Sequence, residues 1–343
     1  MRLGRSTLTA MLGLTAAACL TLAFVQAQEP DQGQPSPVCS VDEILVPSCG
    51  AWWGVYSIKG KTLTTSVTDI EQRVGRRFDI VLRYHDFSGK PGPGVFPDAS
   101  EIELGASRML FFAWESRLYG DDVNLTWPDL AAGAHDEVIR QAATRIREYG
   151  KRVFVSLDPE MDRLSDHGPK KGTPADYVAA ARRVHRLFEE AGVTNAVWVW
   201  TVTGYLGGAN GERMKAMYPG DEYVDWVAYD PYNFYACQQA PWETFEESIA
   251  KPYHWLEREG FGDKPFMLPE YGTQFDPADP GRAQQWYRDI PAVLKEKFPN
   301  IKGMIRWNSD FNCGLGLDNG PGMLDAFAEA GRDPYLNPGV ATD

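Results

Sequence analysis

Eight short apolar segments recur along the chain, and most of them are followed by a segment with helical periodicity. The apolar segments contain many β-branched and aromatic residues, and they lie near 51–56, 78–84, 108–114, 152–157, 195–201, 223–229, 266–269 and 301–307. Helices are predicted near 64–76, 134–149, 174–192, 242–259 and 281–298. Strands that are apolar throughout indicate a parallel sheet that is buried on both faces. The alternation therefore predicts an α/β fold, a single-domain (β/α)8 TIM barrel.

An open, doubly wound sheet is the main alternative, because it shows the same alternation. Such sheets commonly bind nucleotides at a glycine-rich loop that follows a strand. No loop of this kind follows any of the eight segments. The barrel is therefore the favoured architecture.

The N-terminus has the features of an export signal. Arg2 and Arg5 precede an apolar stretch, and small residues ending at Ala27 provide a cleavage site. A membrane anchor is less favoured, because the stretch is shorter than the ~20 residues that a spanning helix needs. A lipoprotein site at Cys19 is also less favoured, because apolar residues continue beyond it. We predict a signal peptide over residues 1–27 and a secreted, extracellular protein without membrane attachment after cleavage.

The remaining chain divides into a leader and one large domain. Residues 28–48 begin with a polar, proline-rich stretch and are interpreted as a leader or linker. Residues 49–343 contain all eight predicted strands and are interpreted as the barrel domain, which we expect to be monomeric.

The charge of the chain excludes one class of partner. The formal net charge is −13, and no basic stripe is visible. Nucleic-acid binding requires clustered Lys and Arg residues. We therefore expect no nucleic-acid partner and a neutral substrate, and the content of eleven Trp and fifteen Tyr suits flat sugar rings.

Four cysteines remain after the predicted cleavage: Cys39, Cys49, Cys237 and Cys313. An exported protein can form disulfides. Four cysteines allow three pairings, and the sequence alone does not choose between them. Cys39 with Cys49, and Cys237 with Cys313, is one of the three.

In a TIM barrel, reactive groups gather at the C-terminal ends of the strands. Carboxyl and aromatic residues dominate these positions in the chain, whereas serine nucleophile motifs and histidine triads are missing. The candidates for substrate binding are Tyr232, Tyr229, Trp307, Trp200, Trp114, His85 and Asp158. The five histidines are scattered, so we expect no metal site and no organic cofactor.

Two glutamates occupy matching positions after strands four and seven. Glu160 follows Asp158-Pro159, and Glu270 follows Pro269. Paired carboxyl groups suit glycosidic bond cleavage, in which one protonates the leaving oxygen and the other attacks the anomeric carbon. A retaining mechanism needs the carboxyl groups about 5–5.5 Å apart. We predict that Glu160 and Glu270 are catalytic.

The strand-end motifs resemble those of glycoside hydrolase family 26 in clan A, whose best-known members are endo-β-mannanases. The similarity extends from about Trp52 to Phe327 and is carried by Asp158–Met161, Asn195–Trp200, Tyr218–Trp226, Asp230–Asn233 and Lys264–Gly272. The resemblance implies a retaining β-glycoside hydrolase that cleaves a polysaccharide or oligosaccharide. It also implies that Glu160 is the acid/base, that Glu270 is the nucleophile, and that Tyr232 is the hydroxyl beside it.

The chain departs from the family at one position. Family members usually carry a histidine directly before the acid/base glutamate, and this chain has Pro159. The departure leaves mannan, glucan, xylan and bacterial exopolysaccharide open as substrates. Two alternatives to a glycosidase are a non-catalytic barrel that binds polysaccharide and a metal-dependent barrel hydrolase such as a deacetylase or amidase.

Overall fold

The computed structural model describes residues 39–163, 168–310 and 313–339. The predicted signal peptide and the first part of the leader lie outside these residues. The described residues belong to one compact unit that begins at Val38. None of the described helices has the length and apolarity that a bilayer crossing requires.

Eight parallel strands close into a barrel, which confirms the predicted fold class. They are β1 Trp52–Ser57, β2 Ile80–His85, β3 Met109–Trp114, β4 Val153–Leu157, β5 Ala196–Val202, β6 Trp226–Tyr229, β7 Phe266–Thr273 and β8 Ile301–Asn308. Each strand pairs with the next one in the chain. The pairing of Trp52 with Gly303 joins β1 to β8 and closes the sheet.

The helices surround this barrel. They are α1 Leu63–Val74, α2 Ala99–Leu104, α3 Trp127–Ala132, α4 Asp136–Tyr149, α5 Gly168–Lys171, α6 Pro174–Glu190, α7 Asn210–Ala216, α8 Phe245–Leu256, α9 Pro280–Arg288, α10 Ile290–Lys297 and α11 Met323–Arg332. The start of α6 shows how the sequence sets a boundary. Thr173 accepts a hydrogen bond from the backbone N–H of Asp176, and Pro174 occupies the first turn, where a missing N–H is harmless.

The core has two layers because neighbouring strand residues point to opposite faces. In β2, Ile80 and Leu82 lie in the inner cluster with Phe154 and Trp226. Val81 lies in the outer cluster between strands and helices. The barrel interior is therefore a packed core, as in other TIM barrels.

Two elements differ from the sequence-based boundaries. The helix predicted over 281–298 is divided into α9 and α10 at Asp289. Pro291 stands in the first turn of α10 and cannot donate to a continuous helix. Strand β7 does not end at Pro269 but continues to Thr273. Its register against β8 shifts between Leu268 and Tyr271, and this irregularity accommodates the proline.

The segment that precedes β1 covers the N-terminal end of the barrel. A disulfide joins Cys39 to Cys49, with 5.6 Å between their Cα atoms. The indole N–H of Trp52, the first residue of β1, donates to the carbonyl of Leu45 at 2.7 Å. The indole of Trp226, the first residue of β6, donates to the carbonyl of Ile44 at 2.6 Å. Both contacts place this segment against the strand starts.

Candidate active site

One cleft of about 1630 Å³ opens at the C-terminal end of the barrel. Every strand contributes a residue from its C-terminal half or from the segment that follows it. These residues are Tyr56, Tyr84, Glu115, Glu160, Thr203, Asp230, Glu270 and Trp307. The cleft therefore lies where TIM barrels place their reactive groups.

Glu270 is held by two tyrosine hydroxyl groups. The hydroxyl of Tyr232 donates to its Oε2 at 2.6 Å, and the hydroxyl of Tyr84 donates to its Oε1. The backbone N–H of Glu270 donates to Asp230 Oδ1 at 2.8 Å. Both carboxylate oxygens are thus positioned, and the carboxylate is oriented into the cleft.

Burial and hydrogen bonding act in opposite directions on this carboxyl. Burial raises the pKa of Glu270, whereas the Tyr232 and Tyr84 hydroxyls and the charge of Arg163 lower it. Burial together with the Glu270 charge raises the pKa of Asp230 well above its usual range. Asp230 therefore favours the neutral form, and the negative charge of the pair concentrates on Glu270.

Glu160 lies in the turn that follows β4. Its φ of 58° and the φ of 45° at Asp158 are left-handed values that side chains other than glycine adopt at a cost. The backbone N–H of Glu160 donates to the carbonyl of Thr201 at 3.0 Å, which ties the turn to β5. The carboxylate forms an ion pair with Arg163.

Asp158 stabilises this turn through contacts in the buried core. It is fully buried and accepts hydrogen bonds from the backbone of Ser116 at 2.7 Å and from the indole of Trp127 at 2.7 Å. The buried ammonium of Lys171 lies 2.9 Å from its Oδ1. These contacts fix the strained turn that presents Glu160. The sequence placed Asp158 among the substrate-binding residues, and the structure gives it a supporting position instead.

Aromatic rings line the floor and the rim of the cleft. Trp307 stacks on Tyr56, with 5.8 Å between ring centroids and 18° between planes. Tyr232 meets Trp307 edge to face at 6.4 Å. Tyr205, in the segment after β5, is 69% exposed. Such surfaces suit the faces of sugar rings.

Four of the predicted substrate-binding residues do not reach the cleft. Trp200, Trp114 and Tyr229 are buried in the outer core cluster. The Tyr229 hydroxyl donates to the carbonyl of Ile249 at 3.0 Å. His85 is buried and contacts Glu101 at 2.8 Å through Nε2. These side chains point outward from the barrel and stabilise the layer between strands and helices.

Several cleft residues were missed by sequence reasoning, and for β2 the miss has a simple cause. A strand alternates its faces, so an error of one residue exchanges the inward and outward sets. His85 was chosen, whereas its neighbour Tyr84 points inward. Arg163, Tyr205 and Arg213 lie in loops or on a short helix that carries no periodic signal.

The second disulfide also lies at the cleft. Cys237 and Cys313 have Cα atoms 5.3 Å apart, within the usual range, and both line the cleft wall. The structure therefore has the two pairings that join 39 with 49 and 237 with 313. Within residues 39–163, 168–310 and 313–339, no group of three or more His, Cys, Asp or Glu side chains is arranged to hold a metal ion.

Comparison with known proteins agrees with this geometry. The model of the family described as glycosyl hydrolase family 26 matches residues 169–299. Endoglucanase H of Acetivibrio thermocellus is 24% identical over 290 residues, which are 82% of this chain and 30% of that protein. The chain thus spans less than a third of the length of this relative.

Solved structures of similar fold include two mannanases. A β-mannanase of Bacteroides ovatus superposes with a TM-score of 0.61 at 15% identity, over 84% of this chain and 90% of that one. The catalytic domain of a Bacillus sp. JAMB-750 endo-β-1,4-mannanase gives a TM-score of 0.61 at 17% identity, over 85% and 89% of the two chains.

A closed barrel with a carboxyl-rich, aromatic cleft at its C-terminal end is the architecture of the TIM-barrel glycoside hydrolases, and the chain shares it. Within this class the chain is similar to glycoside hydrolase family 26, the family that the motifs after β4 and β7 resemble.

Proposed function

We propose that the chain is a secreted, retaining β-glycoside hydrolase that cleaves a β-linked glucan or mannan. The observation that carries the proposal is the shared cleft of Glu160 and Glu270, in which two tyrosine hydroxyls hold Glu270. Glucan and mannan are chosen because the similar proteins are named as an endoglucanase and as mannanases.

In this proposal Glu270 is the nucleophile. Its hydrogen bonds from Tyr232 and Tyr84 favour the ionised form and aim the carboxylate at an anomeric carbon. Glu160 is the acid/base, and it protonates the departing oxygen and later activates water. Since Arg163 pairs with Glu160, a bound sugar must displace this guanidinium before Glu160 can act as an acid.

The proposal includes the domain organisation and the partners. Residues 1–27 are the signal peptide, residues 28–48 the leader, and residues 49–343 the catalytic domain, which acts as a monomer. Tyr232 and Trp307 contact the sugar nearest to the cleaved bond. Pro159, in place of the family's usual histidine, lines the cleft and removes a polar contact to that sugar.

The decisive experiment compares Glu270→Gln and Glu160→Ala with the parent on mannan, xylan, cellulose and mixed-linkage glucan. Loss of a catalytic carboxyl is expected to lower kcat by about 10³-fold or more. With an aryl β-glycoside, whose leaving group departs without protonation, azide should restore turnover to Glu160→Ala by attacking the glycosyl-enzyme and forming a β-glycosyl azide. NMR of the first product should show the retained anomer. Glu296→Gln, at an exposed residue of α10, is the matched control.

Two outcomes would count against the proposal. Equal turnover in Glu270→Gln and the parent would remove Glu270 from the chemistry. A parent that binds these glycans but releases no reducing ends would favour the non-catalytic binding barrel.

A further inference from the structure

Arg213 lines the cleft, and two of its guanidinium nitrogens have no hydrogen-bond partner among the described residues. These two atoms, Nε and Nη2, are buried. The two other arginines of the cleft differ, because Arg117 pairs with Asp122 and Arg163 pairs with Glu160. A partly buried guanidinium without an acceptor is unfavourable in the empty protein. A ligand that supplies an acceptor would remove this penalty.

The position of Arg213 is linked to that of Glu160. Asp162, two residues after Glu160, accepts hydrogen bonds from the backbone of Thr203 at 2.9 Å and from the amide of Asn210 at 2.7 Å. Asn210 is the first residue of α7, and Arg213 follows within its first turn. The buried Asp162 therefore ties the start of α7, which carries Arg213, to the segment that carries Glu160.

The same wall of the cleft carries an aromatic surface. Tyr205 lies between Thr203 and α7, and the backbone carbonyl of Tyr205 accepts from Asn210 at 2.9 Å. Its ring folds over Gly207, where any side chain would collide with it. Tyr205 thus presents an exposed ring to a sugar in the wall that carries Arg213.

We propose that Arg213 binds a carboxylate carried by the glycan, in a subsite that it forms with Tyr205. The inference rests on the proposed glycoside hydrolase function and specifies its substrate as a β-glycan with acidic sugar units. A guanidinium matches the planar geometry of a carboxylate and binds it through two parallel hydrogen bonds. Lys170, exposed at the same cleft, adds a second positive charge.

The charge of the whole protein limits how acidic the glycan is. A net charge of −13 repels a polymer with a carboxylate on every sugar. A mainly neutral backbone with occasional carboxylates fits both the overall charge and Arg213, which has two unpaired guanidinium nitrogens among the described residues. The carboxylate is either a uronic acid within the backbone or an acidic side group.

Binding of matched glycans tests this subsite. Calorimetry on the full chain carrying Glu270→Gln, which prevents turnover, compares two pairs of oligosaccharides. The first pair is mixed-linkage glucan with some C6 positions oxidised to carboxylates, and the same material after carboxyl reduction. The second is glucuronate-bearing xylan and its carboxyl-reduced form. The first pair tests carboxylates on the backbone sugars, and the second tests carboxylates on side groups.

We expect the acidic form of one pair to bind about 10- to 100-fold more tightly than its reduced form. Adding Arg213→Ala should abolish this preference. Arg213→Lys should restore part of it, because an ammonium group keeps the positive charge but cannot form the two parallel hydrogen bonds of a guanidinium. Rising salt should weaken the preference. Arg186→Ala, at an exposed arginine of α6, is the control and should leave it unchanged.

Equal binding of acidic and reduced forms in both pairs would overturn the inference, as would a preference that survives Arg213→Ala. Failure of the hydrolase proposal is distinguishable, since it would show as absent reducing-end release by the unmodified chain on every glycan. The binding comparison does not depend on turnover and decides the role of Arg213 in either case.

Discussion

Glu270 is a buried carboxyl whose charge depends on its immediate neighbours. Burial raises its pKa, and the hydroxyls of Tyr232 and Tyr84 and the charge of Arg163 oppose that rise. In the proposed mechanism Glu270 is the nucleophile and acts only when it is ionised, so these neighbours would determine the lower end of the working pH range.

Replacement of Tyr232 by Phe should therefore shift the pH profile. The lost hydrogen bond from Tyr232 to Glu270 raises the pKa of Glu270, and the nucleophile then needs a higher pH to ionise. We expect the acidic limb of kcat/KM to move up by about one pH unit and kcat/KM below that limb to fall roughly tenfold.

Kinetics across the acidic range measures the shift. Tyr149→Phe, which removes a hydroxyl that donates to Gly105 far from the cleft, is the control and should leave the limb in place. A limb that moves to lower pH in Tyr232→Phe would show that the hydroxyl does not stabilise the ionised carboxylate.

The ion pair of Lys171 and Asp158 is the second residue-scale feature. Both side chains are fully buried, and Lys171 also contacts the hydroxyl of Ser116 at 2.9 Å. Lys171→Met should lower the free energy of unfolding by about 3–5 kcal/mol, because it leaves a buried carboxylate without its cation. Urea unfolding measures the loss.

The matched control is the exposed neighbour Lys170→Met, which should change stability by less than about 0.5 kcal/mol. Adding Asp158→Asn to Lys171→Met should recover part of the loss, since the uncompensated charge is removed. Equal stability of Lys171→Met and the parent would mean that the pair contributes no net stabilisation.

At the scale of elements, the loops after β6, β7 and β8 are tied together. The Cys237–Cys313 disulfide joins the first to the last. Gln274, from the loop after β7, accepts from the backbone of Cys237 at 2.8 Å and donates to the carbonyl of Cys313 at 2.5 Å. These loops border Tyr232, Glu270 and Trp307, so the tie should maintain the shape of the cleft.

Removal of this disulfide should affect both stability and turnover. For the double variant Cys237→Ala/Cys313→Ala, chain entropy alone predicts a loss of about 4 kcal/mol in the free energy of unfolding. KM should rise and kcat should fall, because the wall of the cleft loosens. Thermal unfolding and steady-state kinetics measure the two effects.

The other disulfide provides the comparison. Cys39→Ala/Cys49→Ala opens a loop that spans only ten positions, so the expected loss is about 3 kcal/mol. This disulfide lies at the N-terminal end of the barrel, and kcat should be unchanged. A larger effect on kcat from Cys39→Ala/Cys49→Ala than from Cys237→Ala/Cys313→Ala would contradict the proposed role of the loop tie.

At the scale of the whole molecule, the proposed export places the protein in an oxidising compartment. Disulfides persist in oxidising compartments, and both pairs agree with secretion. We expect the exported protein to begin at Gln28. Ala27→Tyr should block processing, because signal cleavage requires a small residue there.

Mass spectrometry of exported protein tests the site. Gln34→Tyr, in the predicted leader, is the control and should be processed normally. An exported parent that retains residues 1–27 would show that this segment is not a cleaved signal.

Much of the architecture could be predicted because it depends on local patterns. Eight buried strands with intervening helices leave few topologies, and parallel closure places all strand ends at one face. Glu160 and Glu270 were found because each follows a proline near the C-terminal end of a predicted strand. The sheet register was not needed for that step.

The sequence by itself determined the barrel, the face that carries the site and the two candidate carboxyls, since hydrophobic periodicity and chain order suffice for these. Only the tertiary structure decided that Tyr84, 186 positions away, contacts Glu270 and that Trp200 and His85 point outward. It also decided that Nε and Nη2 of Arg213 have no acceptor in the part of the chain that the structure describes. The physical reason is that strand register and barrel closure set the direction and neighbours of each side chain, and both depend on contacts between residues distant in the chain.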